Sequence, residues 1–248
     1  MKPWSAVLSA PVLLLVAVTG TAAVLAGHSA TGPIAYRFEE VKSKVLRLPG
    51  GDEKREVRVS AGESAEAGDV VRTGFWGRTV LSVPERACRF EISSSTRVRL
   101  AGGEPGVVLS LESGRLSAFF EKFTGKAEER RVAAPGALLV VRGTKYGVET
   151  GSGEQATLAV FEGTVEVVPT TPGVAPFKVT AGEYGVFGPK TVPRKGAMPR
   201  GVDEGTWRSR GAGSLPGADG GQQGPGSQAP SSGASPSRGG QSGPRGKS

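Results

Sequence analysis

Between Val45 and Gly188 apolar side chains recur at every second position, in short runs broken by glycine. The pattern is plainest over residues 131–168, where alternating segments are interrupted at Gly143-Thr144 and again at Glu162-Gly163. Successive strand side chains point to opposite faces, so this spacing predicts half-buried β-strands, with glycine marking the bends. Residues 45–59, VLRLPGGDEKREVRV, hold two alternating runs around Pro49-Gly50-Gly51-Asp52 and read as a β-hairpin. Residues 61–74 supply glycine turns around short strands. Cys88, Phe90 and Ile92 then fall on one strand face, and Val98 and Leu100 on the next. Residues 107–120, VVLSLESGRLSAFF, repeat the pattern with Gly114 at the bend. No run between 45 and 188 has a long helical period. The predicted fold is all-β: a single domain of stacked or sandwiched short strands, either β-solenoid-like or a β-sandwich.

A weak internal repeat supports a strand–bend–strand unit. Leu109-x-Leu111-x-x-Gly114-x-Leu116 matches Leu158-x-Val160-x-x-Gly163-x-Val165, and Val59-Ser60-Ala61-Gly62-Glu63 resembles Val179-Thr180-Ala181-Gly182-Glu183.

Both ends depart from the pattern. Residues 5–26 carry no charge and follow Lys2, which predicts a signal peptide or a membrane anchor over 1–26. Both readings stay open: Val24-x-Ala26 suits cleavage after Ala26, and about 20 apolar residues span a bilayer. No cysteine lies there, so a lipid anchor is excluded. Residues 27–44 read as a linker, with Phe38, Val41 and Val45 at helical spacing. Residues 189–248 fill with Gly, Pro, Ser and Arg, and too little apolar surface predicts a disordered basic tail. Trp207, the one large aromatic within it, reads as incidental, with a docking anchor as the alternative. The expected layout is leader 1–26, linker 27–44, β domain 45–188 and tail 189–248.

Charge sharpens this division. The net charge is +8. Residues 190–248 hold nine Lys/Arg and three Asp/Glu, whereas residues 3–189 hold 21 basic and 20 acidic side chains. The folded region is therefore near neutral, and a basic face for reading nucleic acid is not expected. A basic tail can make weak contact with polyanions. The positive-inside comparison of Lys2 with Arg37, Lys42, Lys44 and Arg47 orients the leader poorly. An exported domain is still expected: cell envelope, anchored in the inner membrane or released, with the β domain outside the cytoplasm.

Candidate chemistry is sparse. Cys88 is the single cysteine and His28 the single histidine, so no intramolecular disulfide forms and Cys/His zinc patterns are absent. Ser-His-Asp and Cys-His solutions need a histidine placed on the fold, and His28 lies just past the leader. No S-x-x-K, GxxxxGK[ST] or strand-led GxGxxG occurs. Paired carboxylates stay open as a hydrolase possibility. No catalytic, cofactor-binding or metal residue is assigned, and no cofactor is expected. Cys88 reads as a buried small hydrophobe, with an intermolecular disulfide as the alternative. Gly143-Thr144 reads as a backbone device, the Thr hydroxyl bonding a nearby main-chain group. Asp69 reads as a turn fixed by an Asx-type bond, and Glu162-Gly163 as a turn.

Taken in order, these pieces resemble FecR-domain proteins. Gly62-x-x-x-x-x-Gly68-Asp69-Val70-Val71-x-Thr73-Gly74 opens the pattern. Ser95-Thr96-Arg97-Val98-Arg99-Leu100 and the Leu109–Ala118 unit follow. Val140-Val141-Arg142-Gly143-Thr144-Lys145-Tyr146-Gly147-Val148 carries the Gly-Thr-x-aromatic-x-Val hallmark, and Glu162-Gly163-Thr164-Val165 closes it. The resemblance implies a non-catalytic, membrane-associated interaction or sensory module whose partner is an envelope protein or polymer. Best-known members regulate sigma factors through a cytoplasmic N-terminal part. About four residues precede the apolar leader here, so the expectation is a short form without that part. The alternative is a component of a sigma-factor system acting with a separate cytoplasmic chain.

Overall fold

The computed structural model describes residues 34–101, 106–122, 129–151 and 154–215. The leader, His28 and residues 216–248 lie outside the described residues. Among the described residues no helix is long and apolar enough to cross a membrane.

In chain order the strands begin with β1 (Ala35–Lys42), β2 (Val45–Leu48), β3 (Val57–Arg58), β4 (Ser64–Glu66), β5 (Val70–Thr73) and β6 (Arg78–Val83). They continue as β7 (Cys88–Ile92), β8 (Arg97–Leu100), β9 (Val107–Ser113), β10 (Arg115–Phe120), β11 (Arg130–Ala134) and β12 (Ala137–Val141). The last six are β13 (Lys145–Thr150), β14 (Ala156–Glu162), β15 (Thr164–Pro169), β16 (Phe177–Thr180), β17 (Glu183–Gly188) and β18 (Thr191–Ala197). A short helix, α1 (Glu204–Arg210), follows.

These strands form two nine-stranded sheets. The first runs β18-β17-β14-β13-β10-β7-β6-β1-β4, the second β16-β15-β12-β11-β9-β8-β5-β2-β3. The chain alternates between them, usually two strands at a time, and each sheet grows in nearly sequential order. Neighbours are antiparallel except β9 and β11. One apolar core lies between the sheets, drawing Phe90, Leu116 and Tyr146 from the first and Val98, Leu109 and Leu139 from the second. The hydroxyl of Tyr36 in β1 donates across it to the Val108 carbonyl in β9.

The predicted bends are crossings between sheets. Gly114 (φ +92°) passes the chain from β9 to β10, and Gly163 (φ +79°) passes it from β14 to β15 in the opposite direction. The second pair of repeats also marks crossings, β3 to β4 and β16 to β17. The hairpin holds: β2 pairs with β3. Its connection, however, spans residues 49–56 and includes two 3-10 turns rather than the four residues 49–52.

Both expected boundaries move outward. The segment read as a linker contains β1, flanked by β4 and β6. Tyr36 and Phe38 are fully buried, and their period-two spacing overrides the helical spacing of Phe38, Val41 and Val45. At the other end, residues 191–197 form β18 and residues 204–210 form α1, so the expected tail is folded as far as Leu215. Six of its nine basic residues (Lys190, Arg194, Lys195, Arg200, Arg208 and Arg210) belong to this folded part. β18 is the edge of the first sheet. Met198 N–H donates to the Gly182 carbonyl, which with the β17–β18 register turns the main chain of residues 193, 195 and 197 away from β17. Pro193, lacking an N–H, sits on that open side, where proline is tolerated and blocks strand addition.

Candidate functional site

The Gly-Thr-x-Tyr-x-Val hallmark divides by face. Thr144, Tyr146 and Val148 are buried inward. Gly143 adopts φ +63°, and a Cβ there would stand 2.4 Å from Lys122 Cγ. The corner at Gly163 packs directly on it: a Cβ on Gly163 would stand 2.7 Å from the Gly143 carbonyl oxygen and 2.9 Å from Thr144 Cγ2. Among the described residues the Thr144 hydroxyl has no hydrogen-bond partner, contrary to expectation. Its methyl fills the joint between two crossings instead, and its carbonyl accepts from Phe120 N–H at 2.9 Å. The Tyr146 ring stacks on Phe120 (6.2 Å between centroids), which meets Phe90 edge-on. Asp69 behaves as expected and does more: its carboxylate accepts from Gly50 N–H at 2.9 Å and Glu66 N–H at 3.2 Å, and faces Arg47 at 3.5 Å.

The intervening positions Lys145 and Gly147 face outward and carry α1. Gly147 leaves space for the Trp207 ring, whose Nε1 would stand 2.0 Å from a Cβ there. Trp207 is fully buried against Ala159 and Phe161. It is an anchor rather than an incidental residue. Ion pairs surround it: Arg208 meets Glu91 at 3.0 Å and Glu204 at 2.7 Å, and Lys145 meets Glu204 at 3.3 Å. Asp203 caps α1 by accepting from Thr206 N–H at 2.8 Å, and those hydrogen bonds hold its carboxyl below the ordinary range. A cleft of about 500 Å³ opens beside α1, and its walls include Glu40, Arg78, Arg89 and Glu91. Each of these side chains is already in an ion pair, so the cleft's charge serves to clamp α1 and to pair the strands of this face.

At the opposite end of β7, Cys88 is buried. Desolvation pushes its thiol up to about 12, tempered by the Arg130 guanidinium. That guanidinium donates to the Arg86 carbonyl at 2.9 Å and the Glu121 carbonyl at 2.8 Å, and covers the Phe120 ring at 5.1 Å. A buried thiol with a raised pKa is a poor nucleophile, which fits the reading of a small hydrophobe. Among the described residues no group of His, Cys, Asp and Glu side chains could hold a metal ion.

One surface feature leaves no mark in the hydrophobic pattern of the sequence. Phe75 and Trp76, in the turn between β5 and β6, are 72% and 79% exposed. Alternation singles out buried faces and gives no signal for an aromatic pair placed in a turn.

A family model described as FecR protein matches residues 69–166. The matched span runs from Asp69 through the hallmark to β15. No curated protein matches the chain. Two crystal structures of a candidate anti-sigma factor from Parabacteroides distasonis ATCC 8503, at 1.65 and 2.50 Å, each share 14% identity with a TM-score of 0.43. The alignments cover 52% of this chain and 59% of theirs, so the chain spans somewhat over half of those relatives' length.

Proposed function

From the premise that residues 69–166 carry a FecR domain, we propose that this protein is a non-catalytic, membrane-associated interaction or sensory module of the cell envelope. One observation carries the reading. The motif residues Asp69, Gly143, Thr144, Tyr146 and Gly163 are engaged in corners and core, leaving recognition to outward-facing positions. The partner is an envelope protein or polymer. The apolar leader, residues 5–26, supplies membrane attachment, and the basic residues beyond Pro189 supply weak contact with polyanions.

The test is crosslinking in intact membranes with the full chain as bait, followed by identification of what is captured. A partner absent from a control bait that shares only the leader supports the module. Background identical to that control removes it. Protease treatment of spheroplasts checks placement: digestion of the β domain is expected, and protection would put it in the cytoplasm.

The family match also favours a second reading, a transmembrane sigma-factor system in which a separate chain holds the cytoplasmic part. Co-capture of a sigma factor or of a sigma-binding chain distinguishes it from the first.

A further inference from the structure

The turn between β5 and β6 displays two rings that the core does not use. Phe75 and Trp76 pack edge-to-face with centroids 4.8 Å apart. The backbone beneath them is firmly tied: Gly74 N–H donates to the Lys44 carbonyl at 2.8 Å, Gly77 N–H to the Gly74 carbonyl at 2.9 Å, and Ser95 N–H to the Gly74 carbonyl at 3.0 Å. A Cβ on Gly77 would stand 2.3 Å from the Lys44 carbonyl oxygen, so the turn admits no side chain there. The backbone that carries the rings is fixed, so binding need not order the turn itself, which lowers its cost.

Beside them opens a cavity of about 380 Å³. Lys42, Arg78 and Arg115 line it together with Ser93 and Ser94, and no acidic residue does. Arg78 and Arg115 have carboxylate partners, Glu91 at 3.3 Å and Glu149 at 3.8 Å. Lys42 and the adjacent Lys44 are exposed and form no ion pair among the described residues. The Ser93 hydroxyl accepts from Arg115 Nε at 3.4 Å, which leaves its proton to donate. The cavity therefore combines an aromatic wall, hydroxyl donors and an excess of positive charge, within the volume range of small-ligand sites.

We propose that this turn binds an acidic saccharide, a pyranose chain bearing carboxylates. A sugar ring offers an apolar C–H face to Trp76 and Phe75, hydroxyls to the serines and a carboxylate to Lys42 and Lys44. A lipid surface would engage the rings but leave the buried Ser93 hydroxyl facing it without a partner for its proton. The proposal rests on the interaction-module reading and names the polymer class.

The test titrates full-length protein in detergent with tetramannuronate by calorimetry, with maltotetraose as the neutral counterpart. Saturable binding of the uronate alone is expected, weakening as salt rises. Trp76→Ala and the pair Lys42→Gln, Lys44→Gln should each weaken it by about tenfold. Both sites are exposed, and an unchanged thermal transition verifies that the variants fold. Four results overturn the proposal: no uronate binding by folded protein, undiminished binding by Trp76→Ala, equal binding of tripolyphosphate, or Trp76-dependent binding to phosphatidylglycerol vesicles with the saccharides silent. A protein partner captured in membranes while saccharides stay silent defeats this proposal and leaves the module reading standing. Uronate binding without any captured protein supports it and identifies the partner as a polymer.

Discussion

Asp69 ties three parts of one corner with a single carboxylate, serving the Gly50 and Glu66 amides and the Arg47 guanidinium. Asp69→Ala strands those donors, and the expected loss is about 2 kcal/mol, read from urea unfolding. Cys88 makes a prediction about pH. Burial raises its thiol from 9.0 to about 12, so the folded state holds that proton more tightly than the unfolded chain does. The associated stability is complete below pH 9 and is lost as pH rises towards 12. Comparing the melting temperatures of wild type and Cys88→Ala from pH 8 to 11 checks this: the wild type should lose more over that range. Desolvation, the larger cause that raises Tyr36 and Tyr146, is common to both proteins, and the charge of the Cys88 thiolate raises both tyrosines further, so its removal acts in the same direction. At neutral pH Cys88 should resist maleimide until the protein unfolds.

Helix α1 is held by its contacts with the sheet, with the Trp207–Gly147 pair at their centre and ion pairs around it, not by its own propensity. A seven-residue helix is too short to persist alone in water. Trp207 supplies the apolar contact, and Gly147 supplies the space for it. Trp207→Ala should free α1 at a cost of about 3–5 kcal/mol to its docking. The measurement is limited trypsin digestion, with cleavage at Arg208 and Arg210 accelerating while the β domain stays intact. Gly147→Ala should act in the same direction, because its Cβ would fall inside the indole. Slow cleavage in both variants would mean that the ion pairs of Arg208 and Lys145 hold the helix by themselves.

At the scale of the whole molecule, the folded unit is wider than the family match. The match spans residues 69–166, whereas β1–β4 before it and β16–β18 after it extend both sheets, and α1 packs on the first. Truncation after Gly188 removes β18 and α1, uncovers β17 and exposes Tyr184, Ala159 and Phe161, all of which pack with Trp207. That variant should melt well below wild type. Truncation after Leu215 removes only a stretch poor in apolar residues and should leave the midpoint within about 2 °C. The Phe75–Trp76 turn lies at the end of β1 away from Ile34, since Lys42 pairs with Arg78 while Ala35 pairs with Glu66. The domain therefore presents the aromatic turn and its chain entry at opposite ends.

Alternation and glycine placement by themselves determined that the chain is β, where most strands lie and where it bends, because strand burial has a period of two that any half-buried sheet must obey. They also determined the family likeness and the roles of Asp69 and Cys88. Tertiary structure alone decided that each bend is a crossing between sheets, since a turn to a neighbouring strand and a turn to the facing sheet use the same glycine. It alone turned the expected linker into β1, where the burial of Tyr36 and Phe38 depends on β4 and β6. It moved Trp207 from tail to core, because the site that receives it is built by Gly147, sixty residues earlier in the chain. And it alone gathered Lys42, Ser93, Arg115 and Trp76 around one cavity, since residues so far apart in sequence meet only when the sheets close.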